Sequence, residues 1–566
     1  MVLLPILARE ARRAAKRPAI YRFRLGAVFF AVFTGIYLLI QARLWTASAA
    51  VGRDIFQILV WIAFAFCLLS GVMFASGLLC QERRDGSLAL LFLTRLTGLD
   101  VILGKLTAIL LITGQVALGL FPVLALCIPL GGVSFAEFWR AAAVLLATLS
   151  LSLSTALFVS ALNRELSRSV LISFAIIIIP TVALGFLDST IRGSFPGTPV
   201  GVVLPGLVPL MTSFLDEPYS ATPRAFELCL AYQFVFAALL LALGGHMLKR
   251  LSIENAPIRN RFARIFGSRA AMPAEERREL LRRNPIYWLS QRHRWRWLTT
   301  WTIFSVLLVI WFYALEHFQF LFGARLFIIF AIAPVLHLLL KIAMAAESSS
   351  RLANARDGEL ELLLATPLTS GQIIRGQQRG LIRQFLWPVI TILAVDLFFS
   401  FAYGTTTSER GATSIFGYLF IYTLGISIIL DAPAIATVGL WQGLQCANNW
   451  QALQRTILQV VFLPLTIYAF TAIVLLGPLL SVMQSSFQRV HAASFDFWIV
   501  AAILYWWIVR FVCNAFAERT ARFHLKTFLR FIAADPQAAR AILLRDARRG
   551  PRSPLPHRQP ALRPVL

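Results

Sequence analysis

Two stretches of this chain carry nearly the same text: residues 84–98 read RDGSLALLFLTRLTG, and residues 356–370 read RDGELELLLATPLTS. The stretches start 272 positions apart, and extending the comparison to residues 84–104 and 356–376 gives eleven identities in 21 positions. Chance can match leucines in leucine-rich sequence, but the Arg-Asp-Gly triplet, the threonines and the final glycine also fall in register. The repeat therefore predicts two related units in tandem within one chain.

The composition is that of a membrane protein. Of the 566 residues, 58% are hydrophobic and 14% are charged, whereas soluble domains are about 45–50% apolar and about 25% charged. We predict an all-α polytopic fold, because lipid offers no partner for unpaired backbone groups and runs such as Ile176–Ile179 do not alternate as barrel strands do. Apolar runs of bilayer-spanning length predict twelve transmembrane helices, at 25–42, 55–79, 107–130, 139–162, 169–187, 226–247, 299–315, 323–346, 386–404, 415–440, 456–480 and 497–517.

These spans group into two six-helix units, each opened by a basic amphipathic elbow helix that lies in the head-group layer. The outer segments 188–224 and 475–496 fit either a short re-entrant helix hairpin or, equally well, a proline-rich external loop. The predicted boundaries are 1–247 for the first unit with its elbow at 5–24, 248–283 for a basic cytoplasmic linker, 284–518 for the second unit with its elbow at 284–297, and 519–566 for a basic cytoplasmic tail.

The positive charge of the chain is explained by its predicted topology. The formal net charge is +26, and 31 of the 53 lysines and arginines lie in residues 1–24, 248–297 and 519–566. Eight fall on the predicted outer side, which follows the positive-inside rule with both termini in the cytoplasm. Basic segments at a membrane surface also attract anionic lipid head groups. We therefore expect membrane lipids, and not nucleic acid, as partners of these charges.

The second copy of the repeat has the residues of a short helix with defined ends. Asp357 and Gly358 can end the preceding span, and the leucines that follow predict a brief apolar helix. Thr366 is placed to cap the next helix, with Pro367 at its first position, where proline loses no hydrogen bond. We predict a rigid turn across the cytoplasmic ends of two spans; a plain connecting turn is the alternative.

The repeated motif resembles that of the type-2 permeases of ATP-binding-cassette (ABC) transporters. The shared pattern is a charged residue, Gly, x-Leu-Glu-Leu-Leu, two residues, Pro-Leu, then Ile and Gly before the next span. In the first copy Ala89 replaces the Glu and Arg95 replaces the Pro. The resemblance implies that this loop docks on a nucleotide-binding subunit. The implied coupling residues are Arg84, Asp85, Gly86, Thr94, Arg356, Asp357, Gly358, Glu359, Glu361, Thr366 and Pro367.

The resemblance also implies a function: the permease subunit of an ABC transporter, working as an exporter in the plasma (inner) membrane of a prokaryote. Such a chain is not itself an enzyme and binds no cofactor, because ATP and Mg²⁺ belong to a separate ATP-binding subunit, most simply a homodimer. Residues 102–106 (ILGKL) do not form a phosphate loop, since Leu106 follows the lysine and Leu99 stands where the first glycine is needed. The six cysteines and seven histidines show no metal-ligand spacing.

Two other function classes remain open. A twelve-span secondary transporter of the major-facilitator type also repeats a charged loop after spans two and eight, although neither copy here has the Gly-x3-Asp-Arg-x-Gly-Arg-Arg run of that class. A permease-like membrane scaffold of a larger machine is the other alternative. The transported cargo is not indicated by the motifs, because one fold serves many substrates.

Ionisable residues inside predicted spans are candidates for a translocation pathway, because charges in lipid are costly. Asp396 lies near the middle of span nine and Asp431 in the inner half of span ten. His337 and Lys341 lie one turn apart on span eight, so that Lys341 can pair with either aspartate. Packing pairs without a transport role are the alternative. Arg510, in span twelve, is predicted to extend toward the membrane surface.

Overall fold

Helices form over the long apolar runs, and no strand occurs among the residues that this computed structural model describes. Those residues are 51–84, 96–163, 165–194, 215–221, 223–253, 284–291, 322–355, 366–406, 412–446, 449–471 and 493–534, with a few isolated positions such as Gly86, Leu88, Phe92 and Leu93. The helices are α1 (Val51–Phe74), α2 (Leu78–Arg84), α3 (Gly98–Ala125), α4 (Phe135–Leu162), α5 (Leu166–Ser194), α6 (Asp216–Ala221), α7 (Pro223–Ile253), α8 (Pro285–Gln291), α9 (Phe322–Ala355), α10 (Ser370–Thr406), α11 (Ala412–Gln445), α12 (Asn449–Ile457), α13 (Leu463–Thr471) and α14 (Ala493–Ala534). A π-helical turn, Leu458–Phe462, joins α12 to α13.

The prediction of membrane-spanning helices is confirmed in its coarse form. Seven stretches of the described helices are long and apolar enough to cross a bilayer: Gly52–Cys80, Gly98–Ala125, Phe135–Leu162, Pro223–Leu248, Ser370–Phe398, Leu419–Gln445 and Val500–Leu529. Leu166–Thr181 is a shorter apolar helix. The count of twelve stays a prediction, and the predicted spans 25–42 and 299–315 lie almost entirely outside the described residues.

In the first half, α4 is the central helix and packs against α1, α3, α5 and α7. Its sequence is rich in alanine, serine and leucine, and small residues let membrane helices approach closely. The tightest approach is to α1, where a Cβ on Gly71 would lie 2.1 Å from the backbone oxygen of Ser152. The Ser152 hydroxyl donates to the carbonyl oxygen of Leu68 at 2.6 Å and accepts from the Gly71 amide at 3.0 Å.

In the second half, α11 occupies the corresponding position and packs against α9, α10, α12 and α14. Here the glycines are on the central helix and the serines on its neighbour. A Cβ on Gly439 would lie 1.9 Å from the Ser348 hydroxyl oxygen, and one on Gly443 would lie 2.3 Å from the Ser349 backbone oxygen. The same device of small residues therefore brings α9 and α11 together.

The described helices of the two halves pack in the same pairs. The first-half pairs α1–α3, α1–α4, α1–α5, α3–α4, α3–α7, α4–α5 and α4–α7 correspond to α9–α10, α9–α11, α9–α12, α10–α11, α10–α14, α11–α12 and α11–α14. The contacts between the halves are also reciprocal: α5 contacts α9, while α12 contacts the corner between α1 and α2. At that corner Gln454 donates to the Met73 carbonyl oxygen at 2.7 Å, and Trp450 lies against Gly77.

The two halves differ at one bend. In the first half the helix is interrupted between α1 and α2, and neighbouring helices bind the freed backbone groups. The Ser160 hydroxyl accepts from the amides of Leu79 and Cys80 at 3.0 and 3.1 Å, and the Ser169 hydroxyl donates to the Ser76 carbonyl oxygen. The matching stretch of α9 is continuous. Gly77 of the bend corresponds to Ser349 in the repeat register.

Two predicted boundaries fall inside helices. α7 continues to Ile253, so the predicted linker at 248–283 begins within a helix, and Leu248 is buried. α14 runs for 42 residues, roughly 63 Å at 1.5 Å per residue, which is about twice the hydrocarbon thickness of a bilayer. It therefore extends past the predicted end of span twelve into the predicted tail. Its last part packs through Leu525, Phe528 and Leu529 against the ends of α9, α10 and α11.

The predicted outer and elbow segments are described only in part. The outer segment 188–224 contains the end of α5 and the short helix α6, and residues 195–214 lie outside the described part. Most of 475–496 and the first elbow, 5–24, lie outside it as well. The second elbow is represented by α8.

Candidate functional site

The first copy of the repeat turns sharply at Gly86, directly after α2 ends at Arg84. Gly86 has φ +71°, a left-handed conformation that only glycine adopts without cost. Beyond it Leu88 is buried in the apolar core, whereas Leu93 is exposed. Leu88 therefore anchors the turn in the core, and Leu93 lies on the surface. Asp85 and Thr94, which were predicted to couple to a partner, lie outside the described residues.

The helices that follow the two copies begin with the same cap. The Thr97 hydroxyl accepts from the Asp100 amide at 3.2 Å, and the Asp100 carboxylate accepts from the Thr97 amide at 2.9 Å. In the second copy the Thr369 hydroxyl accepts from the Gln372 amide at 3.3 Å, and the Gln372 side chain accepts from the Thr369 amide at 2.9 Å. These reciprocal bonds form capping boxes in register.

The prediction that Thr366 caps a helix beginning at Pro367 is wrong. α10 begins at Ser370, and Thr366 and Pro367 lie exposed in the bend before it. Thr369 caps in their place because its side chain can form a reciprocal pair with the glutamine three residues on. The other predicted coupling residues of this copy, Arg356, Asp357, Gly358, Glu359 and Glu361, lie outside the described part of the chain.

The predicted elbow of the second half docks on the first turns of α10. Asn284 caps α8, since its side-chain oxygen accepts from the Ile286 amide at 2.9 Å. Its amide nitrogen donates to the Gln372 carbonyl oxygen at 2.9 Å. Gly376, the last glycine of the repeat, allows this approach, because a Cβ there would lie 2.8 Å from both Asn284 and Ile286. The end of the repeat is therefore linked to the elbow.

Asp431, on α11, is the centre of a buried charge cluster. The Arg510 guanidinium on α14 binds both of its carboxylate oxygens, with Nε 2.7 Å from Oδ1. The Asn514 amide nitrogen donates to Oδ1 at 2.7 Å, and Lys341 Nζ, on α9, lies 2.9 Å from Oδ2. Asp431 is 0% exposed. A carboxylate buried this completely is stable only with such charged and hydrogen-bonded partners.

His337 and Asp396 form a second buried pair, one turn from Lys341. His337 Nδ1 lies 2.8 Å from the Ala333 carbonyl oxygen, which only accepts, so Nδ1 carries a hydrogen. Nε2 lies 3.0 Å from Asp396 Oδ2, and a hydrogen bond between these two atoms requires one proton between them. Whichever of the two atoms holds that proton, the pair has zero net charge.

The cluster lies deep within the helices. Lys341 and Asp431 are each roughly four turns, or about 20 Å, from the ends of α9 and α11 at Ala355 and Gln445. With Lys341 protonated, two cations, Lys341 and Arg510, face one ionised carboxylate, Asp431. The cluster then carries one excess positive charge. Lys341 also donates to the Ser427 hydroxyl at 2.8 Å, and the Arg510 guanidinium lies 4.8 Å from the Trp506 ring centroid.

Two buried polar atoms on α14 have no hydrogen-bond partner among the described residues: Trp507 Nε1 and Asn514 Oδ1. The orientation of Asn514 is forced, because Asp431 only accepts and the amide nitrogen must face it. Trp507, Arg510 and Asn514 follow a spacing of i, i+3, i+7 and therefore share one face of the helix. A buried donor and a buried acceptor thus lie on the same helix face as Arg510.

The structure distinguishes between the pairings left open by the sequence. Lys341 pairs with Asp431, and Asp396 pairs with His337. The prediction that Arg510 extends toward the membrane surface is wrong: it is 4% exposed and bound to Asp431. Asn514 and Ser427 were missed. The spacing of Arg510 and Asn514, one turn apart on one helix, was the signal that could have found Asn514, and Ser427 lies one turn before Asp431 on α11.

A second ionic contact, also unpredicted, lies nearer the repeat. Glu347 and Arg351 are one turn apart on α9, with Arg351 Nε 3.4 Å from the carboxylate. Arg351 also donates to the Gln377 carbonyl oxygen at 3.3 Å and to the Gln384 side chain at 2.7 Å, both on α10. This arginine therefore ties together the two helices that flank the second copy.

Within the described part of the chain, no group of three or more histidine, cysteine, aspartate or glutamate side chains is placed to hold a metal ion. Lys105, the lysine of ILGKL, lies inside α3 and pairs with Glu82 of α2. No family model matches this chain, and no curated protein matches it significantly.

Proposed function

We propose that this chain is the transmembrane permease subunit of an ABC transporter of the type-2 family, with two six-span units fused and both repeated loops docked on a separate ATP-binding subunit. The observation that carries the proposal is the equivalent placement of the two copies. Each follows the helix that packs beside the central helix of its half, and each leads into a helix opened by the same capping box. Paired levers of this kind suit a dimeric motor.

The connections of the second copy support its role as a lever. The helix after it is held by α8 through Asn284, by α9 through Arg351 and by the end of α14 through Phe528 and Leu529. A force applied to the loop would therefore act on several spans at once. Packed helices move as rigid elements and do not deform continuously, so such a force shifts the balance between two arrangements.

The first copy has a different support. α2 carries Glu82, which pairs with Lys105 on α3, and Arg83, which donates to the carbonyl oxygens of Ala161 and Leu162 at the end of α4. The loop thus connects the ends of three helices. ATP-driven closure of the partner would move both levers, and export would follow from alternating access between the two halves.

The test is co-purification with an ATP-binding subunit encoded beside this chain. We expect the wild-type complex to survive size-exclusion chromatography and to hydrolyse ATP faster than the free subunit. A Glu361→Ala, Pro367→Ala double variant should lose the partner, since it removes the acidic side chain and the proline of the complete copy. Asp216→Asn, which removes an acidic group on the predicted outer side, is the control and should retain it. Unchanged association of the double variant would refute docking at this loop.

The buried ionisable groups favour one alternative function, a secondary transporter driven by an ion gradient. Proton- and ion-coupled carriers place such groups inside the membrane. The two functions differ in reconstituted vesicles containing this chain alone. A gradient-driven carrier would release an imposed pH gradient without any partner, and Asp396→Asn would abolish that release. Under the proposed function the vesicles hold the gradient.

A further inference from the structure

With Lys341 protonated, the buried charge cluster is not neutral by itself. The His337–Asp396 pair is balanced, so the excess comes from Lys341 and Arg510, which face the one carboxylate of Asp431. All three side chains are buried, with Lys341 the most exposed at 8% of its side-chain surface. An uncompensated charge inside a membrane protein is costly, and buried charges are normally paired. One negative charge is therefore missing from the described surroundings of the cluster.

Donors remain unused around this excess charge. Lys341 has three N–H groups and bonds Ser427 and Asp431. Arg510 has five, and among the described residues it donates to Asp431 through Nε and Nη2. Trp507 Nε1 on the same face of α14 is buried and has no acceptor in the described part of the chain. These are the groups that bind the oxygens of a carboxylate or phosphate.

One acceptor is unused as well. Asn514 Oδ1 is buried without a donor among the described residues, and the same side chain holds Asp431 through its nitrogen. A ligand that fits must therefore bring a hydrogen-bond donor together with its negative charge. Phosphate with one acidic hydrogen, or a phosphate ester next to a hydroxyl, meets both requirements, whereas a halide ion meets one.

We propose that the α14 face formed by Trp507, Arg510 and Asn514, together with Lys341 of α9, is a binding site for a phosphate group that also presents a hydroxyl. The ligand neutralises the excess charge, accepts from Lys341 and Trp507, and donates to Asn514. That this ligand is the cargo rests on the proposed transport function. Binding itself needs neither an ATP-binding subunit nor ATP, so the site is testable on this chain alone.

The experiment measures the thermal unfolding midpoint (Tm) of the purified chain in lipid nanodiscs. One arm uses phosphatidylcholine discs and compares inorganic phosphate with chloride at equal ionic strength. The other compares discs of phosphatidylcholine with discs that contain phosphatidylglycerol, whose head group is a phosphate ester beside hydroxyls. We expect at least one phosphate source to raise Tm by about 2 °C or more, because a ligand that binds the folded state stabilises it. The responding arm distinguishes a soluble from a lipid-borne ligand.

Two variants keep the proposal falsifiable. Lys341→Met removes the excess charge, so the rise in Tm with phosphate should vanish. The Tm of this variant without added phosphate should equal or exceed that of the wild-type chain. Trp507→Phe removes one N–H and should weaken the apparent affinity by about 3- to 10-fold. Arg375→Gln is the control, since Arg375 is exposed on α10 and bonds the Gly371 carbonyl oxygen. No response of the wild-type chain in either arm, or equal responses in Lys341→Met and Arg375→Gln, would overturn the site.

Discussion

In the first half, the buried contacts around α4 are made by hydroxyls and glycines, and the ion pairs Glu82–Lys105 and Arg140–Asp216 are partly exposed, whereas the second half also buries ion pairs around α11. Among the described residues of the first half, Glu137 is the one acidic or basic side chain that is buried, and it lies in the first turn of α4. The second half buries a larger set within its helices, consisting of His337, Lys341, Glu347, Asp396, Asp431 and Arg510.

This difference distinguishes the helix–helix contacts that hold each half together from the buried ion pairs, which only the second half has among the described residues. The same pairs of helices pack with or without buried ions, so the ions are not needed to form the arrangement. Buried ion pairs are also a weak source of stability compared with well-packed apolar residues. The glycine–serine contacts are therefore the structural device that both halves share, and the buried ion cluster is specific to the second half among the described residues.

The largest effect is expected from removing the anion of the cluster. Asp431→Asn leaves Lys341 and Arg510 buried without a counter-charge and should lower the free energy of unfolding by about 3–5 kcal/mol. Thr148→Val on α4 is the matched first-half control. The Thr148 hydroxyl bonds the Val144 carbonyl oxygen within its own helix, so its loss should cost about 1 kcal/mol or less. Unfolding in mixed micelles measures both. Equal losses would remove the contrast between the halves.

Adding Lys341→Met to Asp431→Asn sharpens this result. The double variant has one fewer unpaired cation, so it should recover part of the stability that Asp431→Asn loses. Strict additivity of the two changes would show that Lys341 and Asp431 do not interact in the folded protein.

The next largest loss of stability is expected from substitutions at the glycine contacts, and its rescue should differ between the two halves. Gly71→Ala and Gly439→Ala each force a methyl group into a contact of about 2 Å and should cost about 1–3 kcal/mol. The obstacle to Gly439 is the Ser348 side chain, whereas for Gly71 it includes the Ser152 backbone. Ser348→Gly should therefore rescue Gly439→Ala in part, and Ser152→Gly should fail to rescue Gly71→Ala. Equal rescue in both halves would contradict this geometry.

A smaller effect is expected at the bend that only the first half has. Ser160→Ala removes the acceptor for two amides at the start of α2 and should cost about 1 kcal/mol, as the loss of a helix cap does. Ser350→Ala, whose hydroxyl bonds the Glu347 carbonyl oxygen within the continuous α9, should cost less than half as much. The ratio of the two changes in Tm is the measurement.

The smallest effect concerns the exposed ion pair of the first half. The hydrogen bond from Arg140 lowers the pKa of Asp216 below its usual 3.8. A lowered folded-state pKa contributes stability above the unfolded value, and this contribution is lost as pH falls through the folded value. Tm of the wild-type chain should therefore fall slightly more below pH 4 than Tm of Asp216→Asn. Parallel curves would show that the pair contributes nothing in solution.

Much of the architecture could be predicted from local patterns. Apolar runs are local in sequence, and lipid permits little besides helices, so their presence follows from composition. Ends were harder. Thr366 and Pro367 have the residue types of a helix start, yet Thr369 takes that role because Gln372 completes its capping box. The Thr-x-x-Gln spacing of Thr369 and Gln372 is a capping-box signature that the sequence itself carries, and it distinguishes the two candidate caps.

The helical, membrane-spanning character of this protein follows from its amino-acid sequence alone, and the register of the repeat pointed to two related halves, because hydropathy and repetition are properties of the chain read in order. The folded structure was needed to show that Arg510 and Asn514 meet Asp431 and that His337 meets Asp396. Those partners lie on different helices, far apart in sequence, and their meeting depends on how each helix is rotated about its axis. Glycine and serine contacts set that rotation by allowing α9 and α11 to touch.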